Sequence, residues 1–284
     1  MEWFEALVLG VLQGLTEFLP VSSSGHLEIG KALLGVETQD DLLFTTMVHA
    51  ATVLSTIVVF RGQIWDLLKG FFTGLKEVRI ERKDGKSVLV CNDQTDYLLK
   101  IALSMVPIFV VGVFFKDQVE SLFGSIMVVG FALLATAVLL FFSDYASRPG
   151  RSSIFPSNDY RNGISYWQAF AVGLGQAFAV IPGLSRSGTT ISTGLICGVR
   201  RESMAQFSFL MVLIPILGET FLEIAGGDLA ASSVSALCLV VGFVSAFVSG
   251  LLACRAMVAL VKRARLSWFA LYCLVAAACI FIFA

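Results

Sequence analysis

Two stretches of this chain are apolar enough for the interior of a lipid bilayer and too interrupted to cross it. Residues 3–35 carry Gln13, Glu17, Pro20, Ser22, Ser23, Ser24, Gly25 and His26 inside a hydrophobic run. Residues 166–198 carry Gln176, Pro182, Gly183 and the polar run from Ser185 to Thr190. Non-helical backbone at membrane depth survives only where it is buried in protein or lines a wet cavity, because hydrocarbon offers no hydrogen-bond partners. Each stretch therefore reads as a re-entrant hairpin, two short helices joined by an irregular polar turn.

The rest of the chain supports a membrane setting. Hydrophobic residues make up 57% of the 284 and charged residues 14%, against about 25% charged in soluble domains. The mean hydropathy is +0.84. A span needs about 20 apolar residues, and six segments qualify: 42–60, 97–115, 121–142, 202–223, 232–254 and 266–284. The expected fold class is an all-α polytopic membrane protein, with six transmembrane helices plus the two hairpins. A soluble globular domain is excluded. The acidic start Met-Glu-Trp-Phe-Glu lacks the basic region of a cleaved signal, so it is expected to stay in the mature chain. Six cysteines form no CxxC pair and five lie in apolar segments, so neither a disulfide framework nor a zinc site is expected. No nucleic-acid partner is expected. Membrane lipids are, and the sequence leaves room for a homodimer.

Lys and Arg set orientation. The 61–100 connection holds eight of the 20 basic residues. Arg255, Lys262, Arg263 and Arg265 mark another connection, Arg148, Arg151 and Arg161 a third, and Arg200 and Arg201 follow the second hairpin. With six spans all four places fall on one side, the cytoplasm. Both termini then face outward, as do Glu223 and Asp228. Trp3, Trp65, Trp167 and Trp268 lie near the ends of apolar segments, where an interfacial belt belongs. Two β-prone runs around Asp84-Gly85 predict a β-hairpin within about 76–96 on the cytoplasmic side.

Shifting the chain by 163 residues superposes 10–44 on 173–207. Gly10, Gln13, Ser22, Ser24, Gly25, Gly35, Val36 and Phe44 meet identical residues, eight of 35 positions, where chance gives about two or three. The chain then divides into a first half, 1–143, a linker, 144–165, and a second half, 166–284. Each half is a hairpin followed by three spans. Three is odd, so the halves form an inverted repeat, and their polar turns should meet near the midplane as a binding site.

The second turn reads Pro182-Gly183-Leu184-Ser185-Arg186-Ser187-Gly188-Thr189-Thr190. Glycines let backbone N–H groups approach a ligand, and a helix starting near Ser187 would aim its positive end at an anion. Arg186 adds a fork matched to phosphate, and a charge at that depth needs an anionic partner. Gly183, Ser185, Ser187, Gly188 and Thr190 are phosphate-binding candidates beside it. The first turn supplies Glu17, a base or metal ligand, with Gln13 one helical turn earlier on the same face. Ser22 and Ser23 offer hydroxyls, as phosphate ligand or nucleophile. His26 could move a proton near neutral pH. This set suits phosphoryl chemistry on a lipid-borne substrate.

The runs "QGLTEFLPVSSSGH" and "PGLSRSGTT" resemble the undecaprenyl-diphosphate phosphatase family of the bacitracin-resistance type, and the hydrophobic layout is similar over nearly the whole chain. The resemblance implies a hydrolase of the bacterial cytoplasmic (inner) membrane. It would remove the terminal phosphate of a polyprenyl diphosphate carrier, recycle it for peptidoglycan synthesis and confer bacitracin resistance. It also implies a divalent metal, Mg²⁺ or Ca²⁺, and a site open to the outer, periplasmic side. The family's acidic motif falls on Gln13 and Glu17, leaving one carboxylate for the metal. Its serine and histidine fall on Ser23 and His26, and its arginine motif on Ser185, Arg186, Ser187 and Thr190. Either Ser23 or a water activated by Glu17 would attack. The rival reading is a transporter or flippase of a phosphorylated polyprenyl lipid or other anion, since inverted repeats with broken helices also build transporters.

Overall fold

A computed structural model describes residues 1–36, 42–74, 79–83, 86–122, 125–147, 160–226, 234–263 and 265–283. In chain order the helices are α1 (Trp3–Thr16), α2 (Ser23–Leu34), α3 (Leu42–Val59), α4 (Arg61–Gly74), α5 (Asp93–Phe114), α6 (Lys116–Glu120), α7 (Ile126–Ala146), α8 (Tyr166–Phe178), α9 (Arg186–Ile196), α10 (Arg201–Gly226), α11 (Ala236–Arg263) and α12 (Ser267–Phe283). Strands β1 (Arg79–Lys83) and β2 (Lys86–Val90) pair antiparallel, with Arg79 opposite Val90. The expected turn at Asp84-Gly85 lies outside the described residues, as do Arg148, Arg151 and Asp228.

Both interrupted stretches are helix–turn–helix, and the same residue types punctuate them. Ser22 caps α2 by accepting the Gly25 N–H at 3.2 Å, and Ser185 caps α9 by accepting the Gly188 N–H at 3.1 Å. Each cap satisfies a donor that the first helical turn leaves without a partner. The capping role of Ser185 starts α9 at Arg186, one residue before the start expected at Ser187. Gly35 and Gly198 close the two segments at positive φ, 69° and 84°.

The long apolar helices differ from the expected spans in their ends. Helix α5 begins at Asp93 rather than near 97, because Asn92 caps it by accepting the Thr95 N–H at 2.7 Å. Helix α7 runs from Ile126 to Ala146 against the expected 121–142, and α11 runs to Arg263, well past 254. Hydropathy locates the apolar stretch, whereas caps set where helical hydrogen bonding stops. The first span does not end in an extended connection. Helix α4 follows α3 after a 76° bend. Among the described residues, α5, α7 and α11 are long and apolar enough to cross a membrane, and the α3–α4 pair passes the same test together. Helices α1 and α12 are shorter apolar helices. The chain is thus helical and built for a membrane, with large apolar side chains such as Phe109, Phe131, Phe141, Val240 and Leu252 exposed on its long helices.

Each interrupted stretch leans on a long helix far from it in the chain. Helix α1 packs along α11, α8 along α5, and α7 against α12. The approach is close because small residues face small residues, which is how helices associate where no hydrophobic force separates them from lipid. A β-carbon at Gly10 would overlap Ser245 Oγ and the Gly242 carbonyl. One at Gly14 would overlap Ser249 Oγ and the Ala246 carbonyl. On the other side, a β-carbon at Gly173, the repeat counterpart of Gly10, would overlap the Ser104 backbone of α5.

A buried polar network anchors α8 to α5. Lys100 Nζ donates to Asp96 Oδ2 at 2.6 Å and to the Arg161 carbonyl at 2.8 Å. Tyr166 donates to Asp96 Oδ1 and Asn162 to Asp96 Oδ2, both at 2.9 Å. Asp96 and Lys100 are both buried, so each charge is tolerable only with its partners in place.

Gly14→Val forces α1 away from α11. It should destabilise the protein by about 1–3 kcal/mol, as overpacked cores do, seen as a lower melting temperature in detergent. Gly112→Val, where a β-carbon meets nothing, should leave melting nearly unchanged.

Candidate active site

The two polar turns meet. Ser24 Oγ accepts the Gly183 N–H at 3.4 Å, and Ser187 Oγ donates to the Leu19 carbonyl at 3.1 Å. A β-carbon at Gly25 would lie 3.4 Å from Gly183 Cα, and one at Gly188 would lie 3.3 Å from Pro20 Cβ. Gly183 is required twice over. Its φ of 90° suits glycine, and a β-carbon there would come within 2.7 Å of Val129 Cα.

Beside this junction lies a cavity lined by Glu17 and Phe18 of the first turn, Arg186 and Ser187 of α9, Thr52 and Thr56 of α3, and Ser208 and Phe209 of α10. Glu17 Oε2 accepts a hydrogen bond from Ser23 Oγ at 2.6 Å and from Gln13 Nε2 at 2.9 Å. A hydroxyl this close to a carboxylate is the arrangement of a nucleophile with its base. Arg186 lies within electrostatic reach of Glu17. Its Nη1 is buried and makes no hydrogen bond among the described residues. A buried donor without a partner costs about 1–3 kcal/mol, and more when charged. The amino-terminal residues of α9 face the same cavity, so a cation fork and a helix's positive end converge on one space.

The other expected residues have different places. Ser22 and Ser185 are helix caps. Thr190 Oγ1 donates to the Arg186 carbonyl at 2.9 Å and lies 2.7 Å from Ser208 Oγ. Gly183 and Gly188 form the junction between turns. Of the expected set, the cavity wall holds Glu17, Arg186 and Ser187, and Ser23 joins it through Glu17. His26 is buried and is not among the cavity-lining residues. Its Nδ1 lies 2.7 Å from the Ser22 carbonyl and its Nε2 lies 2.7 Å from the Tyr272 hydroxyl.

The sequence reading missed His49. It is one of only two histidines in the chain. Its Nδ1 donates to the Thr45 carbonyl at 2.9 Å, and its Nε2 lies 3.9 Å from Glu17 Oε2. A polar residue in the middle of an apolar span was the available signal. Oxygen ligands for a divalent cation come chiefly from Glu17. Among the described residues no group of three or more His, Cys, Asp or Glu side chains gathers, and Gln13 Oε1 is buried without a partner. Mg²⁺ binds through one or two carboxylates and otherwise through water and substrate phosphate oxygens, so a single carboxylate fits it.

Arg186→Met should move thermal stabilisation by added pyrophosphate to much higher pyrophosphate concentrations. Losing a charged hydrogen bond worth about 1.5–3 kcal/mol corresponds to roughly 10- to 100-fold weaker binding. Arg186→Lys should be intermediate, since it keeps the charge without the fork. Titrating pyrophosphate while following melting temperature reads both.

Comparison with known proteins agrees along the whole length. The family described as "Bacitracin resistance protein BacA" matches residues 6–279. An undecaprenyl-diphosphatase of Bacteroides fragilis is 50% identical over 277 residues, covering 96% of this chain and 95% of that protein. One from Parabacteroides distasonis is 50% identical over 280 residues, covering 97% and 96%. One from Christiangramia forsetii is 45% identical over 287 residues, covering 100% and 99%.

Proposed function

Because the chain belongs to the bacitracin resistance protein BacA family, we propose that it hydrolyses undecaprenyl diphosphate to undecaprenyl phosphate and inorganic phosphate. It thereby recycles the lipid carrier for peptidoglycan synthesis and confers resistance to bacitracin. The observation that carries the chemistry is the shared cavity. Arg186, whose buried Nη1 is unpaired among the described residues, faces the carboxylate that holds Ser23.

The roles follow from that geometry. Arg186 and the amino end of α9 hold the terminal phosphate. Ser187, Ser208 and Thr52 line its surroundings. Ser23 Oγ attacks the terminal phosphorus as Glu17 takes its proton. The new oxygen–phosphorus bond forms, the bond to the bridging oxygen breaks, and undecaprenyl phosphate leaves with the electron pair. Glu17 hands that proton to the departing undecaprenyl phosphate and then deprotonates a water, which attacks the phosphoserine. The bond from phosphorus to Ser23 Oγ breaks, Glu17 returns the proton to Oγ, and inorganic phosphate is released. Glu17, with Gln13 beside it, would also hold a divalent metal, Mg²⁺ or Ca²⁺. Such an ion, when bound, supplies charge neutralisation for the diphosphate.

The two halves are an inverted repeat. Equivalent serines capping α2 and α9, equivalent glycines closing them, and the reciprocal packing of α1 on α11 and α8 on α5 support it. With basic residues of the connections on the cytoplasmic face of a bacterial inner membrane, the termini face outward and the site opens to the periplasmic side. The polyprenyl tail lies along helix faces open to lipid.

Purified protein should release phosphate from undecaprenyl diphosphate in detergent, and EDTA should stop it. Glu17→Gln should lower kcat by about 10²–10⁴-fold, the usual weight of a general base. Rapid acid quench should trap phosphate on Ser23. Appreciable turnover by Ser23→Ala, with nothing trapped in the wild type, would transfer the attack to water. A folded, metal-supplied wild type that releases no phosphate would point instead to lipid transport, read as flux in liposomes.

A further inference from the structure

Helix α12 belongs to the second half of the chain, yet it reaches the first polar turn at two points. Cys273 Sγ lies 3.7 Å from the Pro20 carbonyl, and the Tyr272 hydroxyl lies 2.7 Å from His26 Nε2. The tyrosine and imidazole rings stack, with centroids 5.5 Å apart and planes 13° from parallel. The other imidazole nitrogen faces the Ser22 carbonyl at 2.7 Å. A carbonyl only accepts, so Nδ1 carries the proton there and Nε2 accepts from the tyrosine. Both nitrogens of His26 are thereby committed.

What this contact holds is a strained residue. Ser22 has φ 72° and ψ 101°, a backbone conformation that L residues adopt only when their surroundings impose it. Its carbonyl accepts from the His26 ring and also from the His26 backbone N–H at 3.2 Å. The next residue is Ser23, whose hydroxyl meets Glu17 at 2.6 Å. A rotation of the Ser22 peptide would swing Ser23 away from the carboxylate. A reacting group needs its geometry held to a fraction of an ångström, and the residues behind it do that holding.

We propose that Tyr272 is a positioning residue for the hydrolysis: through His26 it fixes the strained Ser22 backbone and so keeps Ser23 on Glu17. The inference rests on Ser23 and Glu17 being the reacting pair. It assigns His26 a holding role, and it ties the reacting serine of one half to the last helix of the other.

Tyr272→Phe keeps the stacked ring and removes only the hydroxyl, at a position about half exposed. The expected result is a kcat about 10-fold lower, an unchanged melting temperature and a KM within twofold of wild type, since the Arg186 side of the site is untouched. In a His26→Ala background the same substitution should cost nothing further, because contacting residues that act as one unit are not additive. An unchanged kcat, a loss confined to KM, or an undiminished 10-fold loss after His26 is removed would each overturn the proposal. ¹⁵N-histidine NMR of the wild type tests it without turnover. With two histidines in the chain, the His26 signals should show the Nδ1–H tautomer with an accepting Nε2, and an Nε2–H tautomer would overturn it. If the wild type released no phosphate, the reaction itself would fall, and the tautomer would still report whether Tyr272 holds His26.

Discussion

Everything in this molecule depends on how two polar turns find partners where no water is available. A turn at membrane depth exposes N–H and C=O groups that hydrocarbon cannot satisfy. Here each turn answers the other. Ser24 accepts from Gly183, Ser187 donates to Leu19, and Gly25 and Gly188 let the two turns lie in van der Waals contact. The long helices follow from this requirement. Helices α5 and α11 must leave room for α8 and α1, and their facing surfaces are accordingly serine, glycine and alanine.

Joining the turns solves the backbone problem and creates an electrostatic one. Arg186 sits beside the junction with one guanidinium nitrogen buried and unpaired among the described residues. Glu17 offsets its charge at a distance, but Glu17 Oε2 is already occupied by Ser23 and Gln13. The site therefore keeps a cation's donor in reserve for a ligand. That is the sense in which such a site stabilises a developing charge: its donors are oriented before the substrate arrives and need no reorganisation when it does.

Much of this was legible in the sequence, and the reasons are local. Proline, glycine and serine in the middle of apolar runs announced the broken helices, and the offset of 163 residues paired the right caps and closing glycines. Glu17, Ser22, Ser23 and Arg186 were singled out because polar groups at membrane depth are costly and need a reason, and the family resemblance chose Ser23 between the two serines. Helix ends were less visible, since Asn92, which caps α5, sits outside the hydropathy signal. Helix α4 was hidden by its amphipathic composition, and its 76° bend depends on tertiary packing. The local signal at His49, a polar residue within an apolar span, does not say what it faces, and Tyr272 carries no local signal at all. One reaches Glu17 from α3, the other reaches His26 from 246 residues away, and only the folded chain brings them together.

The offset of 163 residues also bears on whether the protein cleaves its substrate or carries it. The two turns share caps and closing glycines, but not their chemistry. The offset that relates Gln13 to Gln176 and Ser185 to Ser22 places Val180 opposite Glu17, Val212 opposite His49, and Arg186 opposite Ser23. The carboxylate and the nearby imidazole thus exist once, and the serine and the arginine are two different uses of one position. Gln176 is fully buried with neither amide atom paired among the described residues, whereas its counterpart Gln13 donates to Glu17. Alternating access exploits the likeness of two repeats, because each half takes in turn the conformation of the other. A reaction centre exploits their difference, since attack on phosphorus needs a nucleophile and a base on one side and a cation on the other. In this chain the likeness is spent on packing and the difference is concentrated at the cavity, which is the division expected of an enzyme.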